Sequence, residues 1–199
     1  MIELQRETNE TEIKLRLELY GEGNYEIETG IGFFDHMLEL WSRHGFFDLE
    51  LKVKGDLEVD EHHTVEDTGI MLGKAINKEL GDRGGINRYA DILLPMDETL
   101  IMAAVDLGGR SYYKSQFSFG RNKIGGFSVE LVDEFFHSLT SHGKLNLHFK
   151  QLRGENTHHI IEGAFKSFAR VLDEAISREK RLKDKPLSTK GQITEGGRH

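Results

Sequence analysis

Apolar and polar residues alternate along three short stretches of the chain, residues 13–19, 49–55 and 144–150. This period-2 pattern is typical of strands with one buried face. The turn-forming segment at 20–24 separates the first stretch from a further short strand at 25–29, and the two are expected to form a hairpin. Apolar residues at helical spacing predict four helices, at 33–45, 62–81, 128–143 and 158–176. Strand-like runs lie between them at 99–107 and 111–119.

The order helix, strand, loop, helix occurs twice, which indicates an internal duplication. The distance from His36 to the His44-Gly45 pair is eight residues, as is the distance from Glu134 to His142-Gly143. We therefore expect an α+β fold of two similar halves, each a two-layer sandwich whose sheet is covered on one face by its helices. The halves would span about 1–95 and 96–180 of one domain, and the charged, glycine-rich segment 181–199 would form either a flexible C-terminal tail or a loop that becomes ordered around a ligand.

Composition excludes several classes of protein. The formal net charge of −8 argues against a general nucleic-acid or membrane-surface binder, because both partners require a basic face. Cysteine is absent, so a metal would have to be held by histidine and carboxylate side chains. No stretch has the length and apolar character of a signal peptide or a membrane span, and a cytoplasmic location is expected.

Two copies of the motif His-His-x-x-Glu carry the clearest chemical signal. They are His62, His63 and Glu66 in the first half, and His158, His159 and Glu162 in the second. At the start of a helix, the glutamate shares a face with one histidine while the adjacent histidine points about 100° away. A single motif is as easily a pair of surface histidines, but two copies in a duplicated framework predict a centre with two divalent metal ions.

Further ligands are expected from the helix that precedes each motif. His36 and Glu134 occupy equivalent positions of the repeat, and both residue types bind borderline metals. In the second half His137, one turn after Glu134, is an alternative ligand.

Three cations, Arg88, Arg110 and Lys190, lie in glycine-rich or turn contexts where backbone amides and a positive charge can converge on an anion. Taken alone, each is as well explained as a surface residue. The acids Asp97, Glu98 and Asp133 could serve in proton transfer or could equally be solvated surface residues.

A set of segments in fixed order resembles the imidazoleglycerol-phosphate dehydratases of histidine biosynthesis. The segments are GIGFFDHML, GDLEVDEHHTVED, GINRY, DLGGR, NTHHIIEGAFKSFARVL and PLSTKG, and the resemblance runs from about Arg6 to Gly191. It implies a tandem duplication of a ribosomal-protein-S5-like half-domain. It also implies a homo-oligomer, a shell of 24 subunits built from trimers with active sites between subunits, and two Mn²⁺ ions per active site.

The resemblance also implies roles for individual residues. The metal ligands would be His36, His62, His63, Glu66, Glu134, His158, His159 and Glu162, although the family often has histidine where this chain has Glu134. The phosphate group of the substrate would be bound by Arg88, Arg110, Lys166, Ser188, Thr189 and Lys190, and Glu10 would also contact the substrate. Glu66, Glu162, His63 and His159 would act in catalysis.

The implied reaction converts D-erythro-imidazole-glycerol phosphate to imidazole-acetol phosphate and water. The proton lost from the carbon next to imidazole is not acidic by itself. A metal-bound imidazolate is therefore expected to expel the hydroxyl group and leave a diazafulvene-like intermediate. Two alternatives use similar ligands: a dinuclear metallohydrolase, which would activate water, and a non-catalytic metal-binding shell protein, which would have no need of the cations.

Overall fold

The computed structural model describes residues 1–193. Strands and helices follow one another in the order β1 (Ile2–Glu7), β2 (Thr11–Glu18), β3 (Tyr25–Glu28), α1 (Gly32–Gly45), β4 (Asp48–Gly55), α2 (His62–Leu80), β5 (Tyr89–Met96), β6 (Thr99–Asp106), β7 (Tyr112–Lys114), β8 (Lys123–Ile124), β9 (Phe127–Ser128), α3 (Leu131–Gly143), β10 (Asn146–Arg153) and α4 (Thr157–Ile176). A 3-10 turn, Lys180–Leu182, follows α4. None of the helices in this described part is long and apolar enough to cross a membrane.

Two four-stranded sheets have the same topology. The strand order is β1-β2-β4-β3 in the first sheet and β5-β6-β10-β7 in the second. In both sheets the last strand pairs in parallel with its neighbour, whereas the other pairs are antiparallel. This correspondence confirms the predicted α+β fold and its tandem duplication. The predicted division fell near residue 95, but β5 begins at Tyr89 and pairs with β6, so this strand lies in the second sheet.

The helices lie on the inner faces of the sheets and pack against the other half. In the first half, α2 contacts β1, β2 and β4, while α1 contacts β3; in the second, α4 contacts β5 and β6, while α3 contacts β7. Between the halves, α1 packs on α4 and α2 packs on α3. The period-2 strands bury alternate residues, such as Ile13, Leu15 and Leu17, against these helices.

Aromatic residues fill the space between the helical layers. Phe135, Phe136, Phe165 and Phe168 are fully buried, and the Phe136 ring contacts the other three. Trp41 of α1 stacks on Phe168 at 6.3 Å between ring centroids. These contacts tie the two halves into one core.

The pairing of β3 differs from the prediction. Residues 25–29 were expected to form a hairpin with the strand at 13–19, but β3 lies at the far edge of the sheet, parallel to β4. The carboxylate of Asp48 explains the path, because its Oδ1 accepts hydrogen bonds from the backbone of Glu22 at 2.9 Å and of Asn24 at 2.8 Å. These bonds hold the turn beside β4. The predicted strand at 111–119 is also shorter, since only Tyr112–Lys114 is paired as a strand.

Candidate metal centre

Both His-His-x-x-Glu motifs lie in the first turns of helices that face the opposite half. The first histidine of each motif shares a helix face with the glutamate. His62 Nε2 lies 3.7 Å from Glu66 Oε2, and His158 Nε2 lies 3.2 Å from Glu162 Oε2. The side chain of Asn156 accepts a hydrogen bond from the backbone of His158 at 3.0 Å and so caps α4.

A third potential ligand joins each of these pairs from the other half. Among residues 1–193, two groups bring their ligand atoms within 4.8 Å of one another: His36 with His158 and Glu162, and His62 with Glu66 and Glu134. The first group (cluster A) spans α1 and α4 and offers two imidazoles and one carboxylate. The second (cluster B) spans α2 and α3 and offers one imidazole and two carboxylates.

The donor sets of both clusters fit a divalent metal. Nitrogen and oxygen ligands bind such ions at about 2.0–2.2 Å, so ligands on opposite sides of one ion lie up to about 4.4 Å apart. The observed separations need only small side-chain movements. Imidazole combined with carboxylate suits Mn, Fe, Co or Zn. Glu134 is the residue of α3 that joins cluster B, while His137, the alternative considered above, is exposed.

The second histidine of each motif lies outside both clusters and contacts a carboxylate instead. His63 Nδ1 is 3.0 Å from Asp56, which follows β4, and His159 Nδ1 is 2.8 Å from Glu98, in the turn between β5 and β6. The hydrogen bond to Asp56 raises the pKa of His63. The hydrogen bond from His159, with one from the backbone of Asn156, lowers the pKa of Glu98 to about 2. A carboxylate on Nδ1 leaves Nε2 directed outward, as in many metal-binding histidines.

The carboxylate of Glu162 is buried between a histidine and a lysine. Lys166 Nζ lies 2.5 Å from Glu162 Oε1, one helical turn along α4. Burial acts to raise the pKa of Glu162, but the Lys166 ammonium together with His158 and His36 outweighs it, and the pKa is lowered. Phe33 packs edge-on against the His158 ring, with centroids 5.2 Å apart. The lowered pKa favours the ionised form of Glu162, which can bind a metal ion or accept a proton.

The expected phosphate-binding residues are only partly gathered. Arg88 donates to Asp106 at 2.7 Å through Nε and to the backbone carbonyl of Leu187 at 2.7 Å, so it connects the start of β5 with the tail. Lys166 faces cluster A through Glu162, as described above. Arg110 is exposed.

The tail residues Ser188, Thr189 and Lys190 follow the Arg88 contact directly. The Ser188 hydroxyl accepts a hydrogen bond from the Lys190 backbone at 3.2 Å, and Thr189 and Lys190 are exposed. Residues 194–199 of the predicted tail lie outside the described residues. Glu10, in the turn between β1 and β2, is exposed and places Oε1 3.7 Å from His63 Nε2.

Two site-supporting carboxylates had no individual role in the sequence prediction. Asp56 precedes the first histidine motif in GDLEVDEHH, and this position was the only local sign that it could contact His63. Asp106, which ends β6, is the partner of Arg88, and the DLGGR segment gave no sign of this pairing. Glu98 was considered as a possible acid or base, and the structure places it against His159.

Comparison with known proteins identifies the family. A family model described as imidazoleglycerol-phosphate dehydratase matches residues 29–172. The chain belongs to the imidazoleglycerol-phosphate dehydratase family. The imidazoleglycerol-phosphate dehydratase of Lachnoclostridium phytofermentans is 53% identical over 190 residues, which cover 96% of both chains. That of Clostridium acetobutylicum is 50% identical with the same coverage.

Solved structures of imidazoleglycerol-phosphate dehydratase share the fold. The Staphylococcus aureus enzyme superposes with a TM-score of 0.80 at 35% identity, covering 90% of this chain and all of that one. The Pyrococcus furiosus enzyme, solved in complex with (S)-C348, gives a TM-score of 0.81 at 33% identity and covers 94% and 99% of the two chains. The chain is thus a hydro-lyase of histidine biosynthesis that acts on imidazoleglycerol phosphate.

Proposed function

We propose that this dehydratase works with two Mn²⁺ ions per active site, held by clusters A and B and by histidines from neighbouring copies. The observation that carries the proposal is that both clusters draw ligands from both halves of the chain. An arrangement of this kind requires the complete duplicated fold. We also propose that the chain is one catalytic domain, with 181–199 as its substrate-binding tail.

Each cluster supplies three ligands, fewer than the six that Mn²⁺ commonly takes. His63 and His159 fit the remaining positions, because each is oriented by a carboxylate on Nδ1 and neither joins a cluster among residues 1–193 of its own chain. We infer that these two histidines complete the metal sites of adjacent subunits. When bound, the two ions would lower the pKa of the imidazole N–H of the substrate and bind the hydroxyl groups of the substrate.

The chain's own carboxylates would transfer the protons. Glu66 and Glu162 lie beside the first histidine of each motif, and Glu10 lies near His63. A base within hydrogen-bond reach of the substrate carbon or hydroxyl is needed for dehydration. Replacing Glu66 or Glu162 by glutamine should lower kcat by orders of magnitude, and a nearly active glutamine variant would refute this assignment.

The cations would bind the phosphate group of the substrate. Arg88 is fixed by Asp106 and contacts the carbonyl of Leu187 in the tail. The residues that follow, Ser188, Thr189 and Lys190, could therefore bind the same phosphate group as Arg88. Arg110 and Lys166 would add charge around the same anion. If the chain were a metal-binding shell protein without activity, substitution of these cations would leave metal binding unchanged.

The outer face of the second sheet supports self-assembly. Tyr89, Leu93, Tyr112 and Leu152 are exposed there, with 43–58% of each residue accessible. The outer face of the first sheet is instead covered by ion pairs, such as Arg16 with Glu50 at 3.3 Å. We propose that this face, with its exposed tyrosine and leucine side chains, is buried between copies in a cytoplasmic homo-oligomer of 24 subunits built from trimers.

Ketone formation from imidazole-glycerol phosphate tests the function directly. Chelator-stripped protein should be inactive, and added Mn²⁺ should restore an absorbance change from imidazole-acetol phosphate. Product analysis separates the alternatives, because a metallohydrolase would release inorganic phosphate or another hydrolysis product. Bound metal without any product would leave only the shell-protein alternative.

A further inference from the structure

Each metal cluster combines a pre-arranged pair of ligands with one ligand from a separate helix. His158 with Glu162, and His62 with Glu66, are fixed relative to each other by i,i+4 spacing. His36 and Glu134 instead depend on how the first turns of α1 and α3 are held. Whatever fixes these two turns therefore controls whether either cluster can bind a metal.

No side chain at the N-cap position holds the start of either helix. Ile31 precedes α1 and Glu130 precedes α3, and neither makes a side-chain cap hydrogen bond. The first four backbone N–H groups of any α-helix lack an intrahelical partner, and in α1 and α3 no N-cap side chain accepts a hydrogen bond from them.

In the first half, the aspartate directly before the ligand holds the first turn of α1. Asp35 precedes His36, and its Oδ1 accepts hydrogen bonds from the Thr29 backbone at 2.9 Å and from the Thr29 hydroxyl at 2.5 Å. Thr29 is fully buried, one residue beyond β3, and its hydroxyl accepts a bond from the Ile31 backbone at 3.2 Å. The turn is thereby tied to the parallel edge strand.

The second half makes the same connection with different donors. Asp133 precedes Glu134, and its Oδ1 accepts hydrogen bonds from the Tyr113 and Ser115 hydroxyls, both at 2.6 Å. Tyr113 lies on β7, the parallel edge strand of the second sheet, and Ser115 follows that strand. Burial, together with Asp133, raises the pKa of Tyr113, so this hydroxyl remains a donor at all ordinary pH values.

We propose that Asp35 and Asp133 are a pseudo-symmetric pair of positioning residues that set the direction of His36 and Glu134 toward the metals. Consecutive residues on a helix point about 100° apart, so anchoring the aspartate to the edge strand turns the next side chain toward the other half. Neither aspartate belongs to a cluster itself within the described residues. The inference rests on the proposed metal centre.

Metal binding by chelator-stripped protein, followed through the electron paramagnetic resonance signal of free Mn²⁺, tests this proposal. Asp35→Ala should weaken one class of site, and Asp133→Ala the other, each by about 10- to 100-fold. Excess Mn²⁺ should restore much of the dehydratase activity, because the chemistry itself is not removed. Unchanged affinity for both classes, together with a lower free energy of unfolding, would overturn the proposal and leave the aspartates a purely structural role.

Milder variants keep the test informative if an alanine variant fails to fold. Tyr113→Phe combined with Ser115→Ala removes only the two donors to Asp133, and it should weaken the same class of site as Asp133→Ala. Tyr25→Phe, at an exposed residue of β3, the equivalent parallel edge strand of the first sheet, is the matched control and should bind both ions normally. Wild-type protein that binds two ions but forms no ketone would refute the proposed function without affecting this inference.

Discussion

Substitution of Gly69 by alanine is expected to damage cluster B while leaving cluster A intact. A Cβ atom at Gly69 of α2 would lie 2.7 Å from the carbonyl oxygen of Phe135 and 3.2 Å from Ser138 Cβ, both on α3. Ordinary contact begins near 3.4 Å, so the helices must separate by about 0.7 Å. Metal sites tolerate deviations of about 0.2 Å. Because Phe135 follows Glu134 directly, the shift moves a ligand of cluster B away from its two partners.

The variant should nevertheless fold. Overpacking costs about 1–3 kcal/mol, and replacing a helical glycine by alanine returns about 1 kcal/mol. A net loss of about 0–2 kcal/mol would lower the melting temperature of metal-free protein by at most about 8 °C.

The assay is Mn²⁺ stoichiometry and affinity on stripped protein, followed by ketone formation. We expect one tight site in place of two and a large fall in kcat. Gly32→Ala is the matched control, since this residue also lies in a helix and a Cβ there meets no atom within 4 Å. If Gly69→Ala binds two ions with wild-type affinity, the close approach of α2 and α3 does not control cluster B and the reasoning is refuted.

Three further outcomes are expected. Asn156→Ala should lower the free energy of unfolding by about 1 kcal/mol in denaturant titrations, because α4 loses its cap. The backbone hydrogen bonds to Asp48 outweigh its burial and lower its pKa, so its stabilising effect is full above about pH 3.8 and is lost as pH falls through the lowered value. Asp48→Asn should therefore destabilise the protein in urea at pH 7 and much less at pH 3; an equal effect at both would contradict this. Added Mn²⁺ at 100 times its dissociation constant should stabilise stripped protein by about 2.7 kcal/mol per site, visible as a higher melting temperature in calorimetry.

The local pattern of apolar and polar residues predicted the helices and strands that have one buried face. It did not predict which strands pair with each other. The alternation in β2 and β4 and the helical spacing in α4 are strong because each element has one buried side. The position of β3 depends on Asp48, about twenty residues later in the chain, and a periodic pattern carries no information on such a contact. β5 lacks a clear alternation of polar and apolar residues in ADILLPM, and it was not predicted as a separate strand.

The candidate site shows the same division between local and long-range information. Motif spacing alone predicted that one histidine pairs with the glutamate, as His158 does with Glu162. It could not predict that His159 contacts Glu98, which lies 61 residues away, or that His36 meets ligands of the other half. The first contact arises from the packing of α4 on β5 and β6, and the second from the packing of α1 on α4 between the two halves.

The unequal donors of clusters A and B follow from joining the two halves in one chain. In a dimer of identical half-domains, any substitution at the first-helix ligand would appear in both sites, which would remain copies of each other. Covalent linkage allows His36 and Glu134 to differ, so one site is richer in imidazole and the other in carboxylate. Carboxylate-rich sites favour harder ions such as Mn²⁺, and imidazole favours Zn, Fe and Co. A single chain can thus carry two candidate metal sites whose ligands are selected separately.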